Sequence, residues 1–232
     1  MQLKDHFEEP AGHRRYPQWN SPATQALRVC MVSRAPQLGD SERAMVRLAA
    51  GLRDRGHEVL FLLAKRGEMF EQCGQLGFRC LHLAAQLSDL SRRWRRAAIR
   101  TTLRHLFKRE RPDVIHASDA PSALIPFDAA RGLAITRVCH HRYTCDEATI
   151  HRLAAGGVEL HLYKSAAILE SAGHQCPILL GATSAIVEEP ALANDDLEQL
   201  ADSVTLPLKA HAASVARHYH FAATARLLRR AA

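Results

Sequence analysis

LRVCMVSRAPQLGDSERAMVRLAAGLRDRGHEVLFLL, residues 27–63, is the stretch whose reading decides the fold. An apolar run containing Val29, Cys30, Met31 and Val32 comes first. A loop with one glycine, Gly39, follows, and then apolar residues at helical spacing: Met45, Leu48, Ala49 and Leu52 fall at i, i+3, i+4 and i+7, one face of a helix. After Gly56 a second apolar run begins at Val59. The order is strand, loop, helix, strand. A strand that is continuously apolar rather than alternating is covered on both faces, so the unit reads as a right-handed βαβ of a parallel sheet.

Working outward, the same rhythm continues. Residues 67–76 read as a short helix closed by Gly77 in the left-handed conformation, and residues 78–83 as a third strand. Pro112 stops a long basic helix spanning residues 88–111. Strands are expected at 113–117, 133–139, 158–163 and 176–180, with helices from Asp119 to Arg131, over 146–155, and over 165–172 before Gly173. The sum is an α/β fold with one doubly wound parallel sheet in the order 3-2-1-4-5-6-7.

Composition bounds what such a chain can be. Its 232 residues, 47% of them apolar, suffice for one good core. The first 26 residues, with Pro10, Pro17 and Pro22 among polar groups, read as a flexible leader. A domain over 27–185 follows, then a C-terminal helical tail over 186–232. Acidic residues sit where a signal peptide needs an apolar core, and no window approaches a membrane span. A cytoplasmic protein is therefore expected. Six cysteines without a CxxC pair read as reduced, mostly buried thiols. A formal charge of +7 and a pI near 9.4 admit an acidic partner without choosing among nucleic acid, anionic lipid and a phosphorylated substrate.

The charge is concentrated between Arg92 and Arg111. On a helix, Leu90, Trp94, Ala97 or Ala98, Ile99, Leu103, Leu106 and Phe107 form an apolar stripe with arginines covering the remainder. Such a helix can dock on the sheet with a solvated basic face, or lie at the inner face of an anionic membrane. Nucleic acid is not expected, because no stacking aromatics are interleaved.

At this point a family resemblance is legible. A strand ending in Ser33, a glycine-bearing loop, Ser41-Glu42-Arg43 opening a helix, and Leu52-Arg53-Asp54-Arg55-Gly56-His57-Glu58-Val59 entering the second strand together resemble the N-terminal half of family 4 glycosyltransferases of the GT-B type. Arg111-Pro112-Asp113-Val114-Ile115-His116-Ala117 resembles a strand of that family, and Lys164-Ser165 with Gly173 a later segment. The likeness runs from about residue 27 to 183, and Phe221 to Leu228 resembles the helix with which such enzymes cross back onto their N-terminal domain.

The resemblance implies hexosyl transfer from a nucleotide-diphosphate sugar to a glycan or lipid-linked acceptor, and an acceptor cleft at the carboxyl ends of the strands. His140 matches the family's acceptor-side histidine and is the candidate catalytic residue, with His141 as fallback; an imidazole there can take a hydroxyl proton. Gly39, Asp40, His116, Asp119, Arg142, Lys164 and Ser165 are the candidate acceptor-binding residues. Gly39 keeps one of the family's two loop glycines, with Leu38 in the place of the other. The donor-binding Arg, Lys and Glu-x7-Glu set is not found after residue 185, so a partner chain supplying a donor domain is implied. The alternative is a non-catalytic module that binds glycan or a partner. No cofactor is expected, since one glycine in the first loop does not make a dinucleotide-binding G-x-G-x-x-G. Nor is a metal, because Cys139, His140, His141 and Cys145 lack a ligand spacing.

Overall fold

The computed structural model describes residues 26–83, 93–176, 184–187 and 206–231. The leader, the Leu90 position, and the expected helix start near Asn194 lie outside these residues.

Seven parallel strands form one sheet in the order β3-β2-β1-β4-β5-β6-β7, as the sequence predicts. They are β1 Arg28–Ser33, β2 Glu58–Leu63, β3 Arg79–His82, β4 Val114–Ala117, β5 Thr136–His141, β6 Leu160–Tyr163 and β7 Ser184–Ile186. The helices are α1 Asp40–Asp54, α2 Glu68–Gln75, α3 Arg93–Glu110, α4 Ala120–Ala130, α5 Glu147–Gly156, α6 Ala166–Gln175 and α7 Leu206–Ala231.

The decisive stretch behaves as its pattern requires. Met45, Leu48, Ala49 and Leu52 are fully buried against Val29, Met31, Phe61 and Leu63. Burying a single leucine of this kind is worth about 2 kcal/mol, so four such positions hold α1 firmly on β1 and β2. Gly77 takes φ 73° after α2, the left-handed closure its position predicts.

Alternation along each strand divides the core in two. Met31, Val114, Val138, Leu160 and Leu162 face α1 and α7, whereas Cys30, Val32, Ile115, Ala117 and Cys139 face α3, α4 and α5.

Four expectations are corrected. The fifth strand is expected at 133–139 with His140 and His141 in the loop beyond it; both histidines are instead strand residues, pairing with Leu162 and Tyr163. The reason is the end of α4: Gly132 at φ 77° and the Leu133 N–H to Ala130 carbonyl bond use residues 131–135 as a turn, which delays the strand. Gly173 does not end α6, which continues to Gln175 with Cys176 as its C-cap; residues 177–180 of the expected strand lie outside the described residues, and the last described strand is Ser184–Ile186. On α3, Ile99, Leu103, Leu106 and Phe107 pack inward, but Trp94 is 64% exposed and Ala97 and Ala98 face solvent, so the apolar stripe is half as long as expected. Finally, the two short helices expected over 206–216 and 221–230 are one helix, α7.

Candidate functional site

The carboxyl ends of β1, β4 and β5 and the helices that follow them converge on one polar cluster. Helices α1, α4 and α6 are among those that begin at this edge, with Gly39, Asp119 and Ser165 as their N-caps. Asp119 Oδ1 accepts from the Ser122 N–H at 2.6 Å and Ser165 Oγ from the Ile168 N–H at 3.4 Å, so both residues are first of all caps.

The β1–α1 loop is held by close backbone approaches. A Cβ on Gly67 would stand 2.7 Å from the Pro36 carbonyl oxygen, and one on Gly39 would stand 3.2 Å from Glu42 Oε2. Glycine at those two positions lets the loop lie against α2 and leaves room for the Glu42 carboxyl. The Leu38 N–H donates to Glu68 Oε2 at 3.0 Å, which ties the loop down further. Asp40, the first residue of α1, is exposed.

Glu42 is the acidic group that sequence reading missed. It is buried, receives the Ser33 hydroxyl at 3.3 Å, and its carboxyl is pushed above its ordinary value chiefly by burial, with the Asp119 charge adding to that and Ser33 and Arg142 opposing it. Its signal was present in Ser41-Glu42-Arg43, read there only as a helix opening. Arg142 is buried too, and its Nη1 donates to the Ser118 carbonyl at 3.0 Å. Arg34 stands 3.7 Å from Asp119 Oδ2 at the rim.

His140 and His116 lie side by side on the α1/α7 face, ring centroids 5.5 Å apart, and both are fully buried. Helix α7 closes over them. Tyr219 shares a hydrogen bond with His116 Nδ1, and His211 contributes to the field at both rings. Burial, then the Arg142 guanidinium, hold both imidazoles well below their ordinary pKa, so they are neutral bases at pH 7. His116 Nε2 and Ser118 Oγ are buried without a hydrogen-bond partner among the described residues, the kind of unmet group that functional sites retain.

His141 does not join this group. It points to the opposite face of the sheet, where its Nε2 lies 2.9 Å from His161 Nδ1 and its ring stacks on Tyr163 at 4.6 Å. Burial lowers His141 to about 3 and His161 to about 4. Lys164 is exposed beyond β6, and its N–H donates to the His141 carbonyl at 3.1 Å. The edge therefore brings together Gly39, Asp40, His116, Asp119, His140 and Arg142 with Ser33, Glu42 and Ser118. Among the described residues no group of three His, Cys, Asp or Glu side chains could hold a metal, and Cys139 and His140 face opposite sides of the sheet.

Residues 41–154 match the profile of Glycosyltransferase Family 4. No curated protein matches the chain by sequence. Among solved structures, Anabaena HepE, crystallised in complex with UDP and glucose, is similar at a TM-score of 0.53 with 14% identity over 75% of this chain and 49% of its own. A glycosyltransferase of Rickettsia africae gives 0.55 with 12% identity over 76% and 48%, and Acinetobacter baumannii MurG gives 0.54 with 13% identity over 73% and 47%. The chain thus spans about half the length of these structures. The profile match covers just under half of the chain, and together with the motifs in β1–α1–β2 and β4 and the seven-stranded parallel sheet it makes the chain similar to the family 4 glycosyltransferases of the GT-B type.

Proposed function

We propose that this domain supplies the acceptor side of hexosyl transfer from a nucleotide-diphosphate sugar to a glycan or lipid-linked acceptor, with the donor held by a second lobe on a partner chain. The observation that carries the reading is the convergence of Ser33, Glu42, His116, Asp119, His140 and Arg142 at the carboxyl ends of three parallel strands, the edge at which open α/β sheets take their ligands. UDP and UDP-glucose bind HepE, a neighbour in fold.

In this reading the rim, exposed at Gly39, Asp40 and Lys164 and half-buried at Asp119 and Ser165, meets acceptor hydroxyls, and the neutral His140 stands behind it as the proton acceptor. His140 reaches an acceptor only if α7 shifts, because the ring has no exposed surface. His141, turned to the other face, is left a packing role. The protein is cytoplasmic, and α3, with exposed Trp94 and Arg93–Arg100 beside it, rests against an anionic membrane surface.

A second reading, a non-catalytic module that binds glycan or a partner transferase, is favoured by that same enclosure of His140. An assay of the purified chain, with and without a donor-lobe partner, against UDP- and GDP-sugars separates the two. Transfer lost in His140→Ala but retained in His141→Ala supports the enzyme. Glycan binding without turnover, unchanged by His140→Ala, supports the module.

A further inference from the structure

Toward the far end of α4, away from the candidate cleft, the α3/α4 surface carries an unbalanced group of charges. Arg96, Arg100 and Arg104 follow one another at four-residue spacing, which stacks their side chains along one face of α3. They meet the last turn of α4, where Asp128 and Arg131 complete the group: four guanidinium groups against one carboxylate.

The contacts show which of the four are already engaged. Arg96 Nη2 is 3.2 Å from Asp128 Oδ2, a hydrogen-bonded ion pair. Arg104 Nη1 donates to the carbonyl oxygens of Ala129 at 3.1 Å and Arg131 at 2.7 Å, satisfying the end of α4 and fixing its own position. Arg100 and Arg131 each approach Asp128 only to 3.8 Å, beyond hydrogen-bond distance, so their planar donor forks are unspent among the described residues. Between them lies a hollow of about 290 Å³ lined by Arg100, Thr101, Arg104, Asp128 and Arg131. That is several times the share of one water, about 30 Å³, and roomy enough for a phosphate group with part of what it is attached to.

We propose that this hollow is a binding site for a phosphate monoester or diphosphate. Arg100 and Arg131 offer two forks to a tetrahedral dianion, the geometry in which arginine surpasses lysine. The Thr101 hydroxyl supplies a further donor, and the fixed Arg104 forms a positive wall. A dianion also relieves the mutual repulsion of four cations that Asp128 alone leaves uncompensated. The site is separate from the cleft: the nine residue steps from the N-cap Asp119 to Asp128 amount to about 13 Å along the helix. It therefore stands whether or not the transferase reading does.

The phosphate could belong to a soluble ester or to a lipid headgroup, and two arms of one experiment separate these sources. The full-length chain is titrated with inorganic pyrophosphate at low salt, and in parallel with vesicles of phosphatidylcholine containing phosphatidic acid. We expect saturable pyrophosphate binding that weakens at least tenfold in the Arg100→Gln/Arg131→Gln double variant. Asp128→Asn should tighten it, because the competing carboxylate is gone, whereas a merely structural cluster would give no gain. Arg217→Gln, which removes one positive charge at an exposed position on α7, should leave it unaltered. Vesicle binding displaced by pyrophosphate assigns the site to a lipid headgroup; pyrophosphate binding without vesicle binding assigns it to a soluble ester. Absence of saturable binding in both arms overturns the proposal. So does equal weakening in the double variant and in Arg217→Gln while the thermal midpoints of all variants match the parent.

Discussion

Helices α3 and α7 cover opposite faces of the same sheet, and they do so by different means. Helix α7 sinks Ala212, Val215, Ala216, Tyr219 and Ala222 into the core beside Val138, Leu160 and Leu162, and carries a tyrosine and a histidine down to the buried imidazoles of β4 and β5. Helix α3 buries only Leu103, Phe107 and Glu110 and leaves its N-terminal half in solvent with Trp94 uncovered. Small residues let α7 approach the strands closely, so that polar groups reach partners inside. Long arginines keep the outer side of α3 at a distance and in water. Change at α7 should therefore be felt as stability, and change at the start of α3 as binding.

The sharpest way to break that contrast is to bury a charge. Ala216→Asp places a carboxylate at a fully packed position and should cost about 3–5 kcal/mol, seen as a large fall in urea midpoint. Ala97→Asp, on the exposed part of α3, should stay within about 0.5 kcal/mol. Comparable losses at the two sites would refute the division.

Acid should act on the histidines of the core before it acts on the surface. His141 and His161 have folded-state pKa values lowered to about 3 and about 4, below the ordinary histidine value, so the unfolded chain binds more protons than the folded one in the interval between. Stability is full above about pH 7, declines as pH falls below about 6.5, and by pH 5 has dropped by about 2 kcal/mol for each ring that must stay neutral. Urea midpoints at pH 7, 6 and 5 measure this, and His161→Phe should flatten the slope. A midpoint constant from pH 7 to 5 would mean that these rings are hydrated.

Removing one hydroxyl gives a smaller effect. Tyr219→Phe deletes the bond to His116 and leaves Nδ1 of a fully buried ring unmet, at a cost of about 1–2 kcal/mol. A double-mutant cycle with His116→Phe should return a coupling of about 1 kcal/mol. Smallest of all is Trp94→Ala, with a stability change under about 0.5 kcal/mol. If α3 rests on lipid, the same substitution should still weaken binding to anionic vesicles, and a loss of stability without loss of binding would reverse the assignment.

The order of the first six strands was legible because each announces itself as a short apolar run, and Gly56, Gly77 and Pro112 punctuate the runs; the seventh, the three residues Ser184–Ile186, was too short to be picked out. The C-terminal half of the expected stripe on α3 was legible for the same reason. Its start was not, since the same small and aromatic residues suit either a buried face or an exposed one. The division of α7 into two helices arose where Arg217-His218-Tyr219-His220 interrupts the apolar pattern. These residues propagate a helix well enough, and in the fold Tyr219 is buried. For the site, the residues around Gly39, His116, Asp119 and Arg142 could be placed at one edge from strand order alone. Glu42 could not be picked out, because a glutamate in the first turn of a helix is ordinarily a solvated partner of the helix dipole.

The amino-acid sequence by itself determined the parallel α/β fold, its strand order and the edge where ligands belong, since these follow from periodicity and punctuation along the chain. Only the tertiary structure decided which way the paired histidines face and what covers them. One residue more or less in the turn after α4 decides whether His140 and His141 lie in a loop or in a strand, and in a strand successive side chains must part to opposite faces. The helix that covers His140 comes from the far end of the chain, through packing that no local pattern encodes.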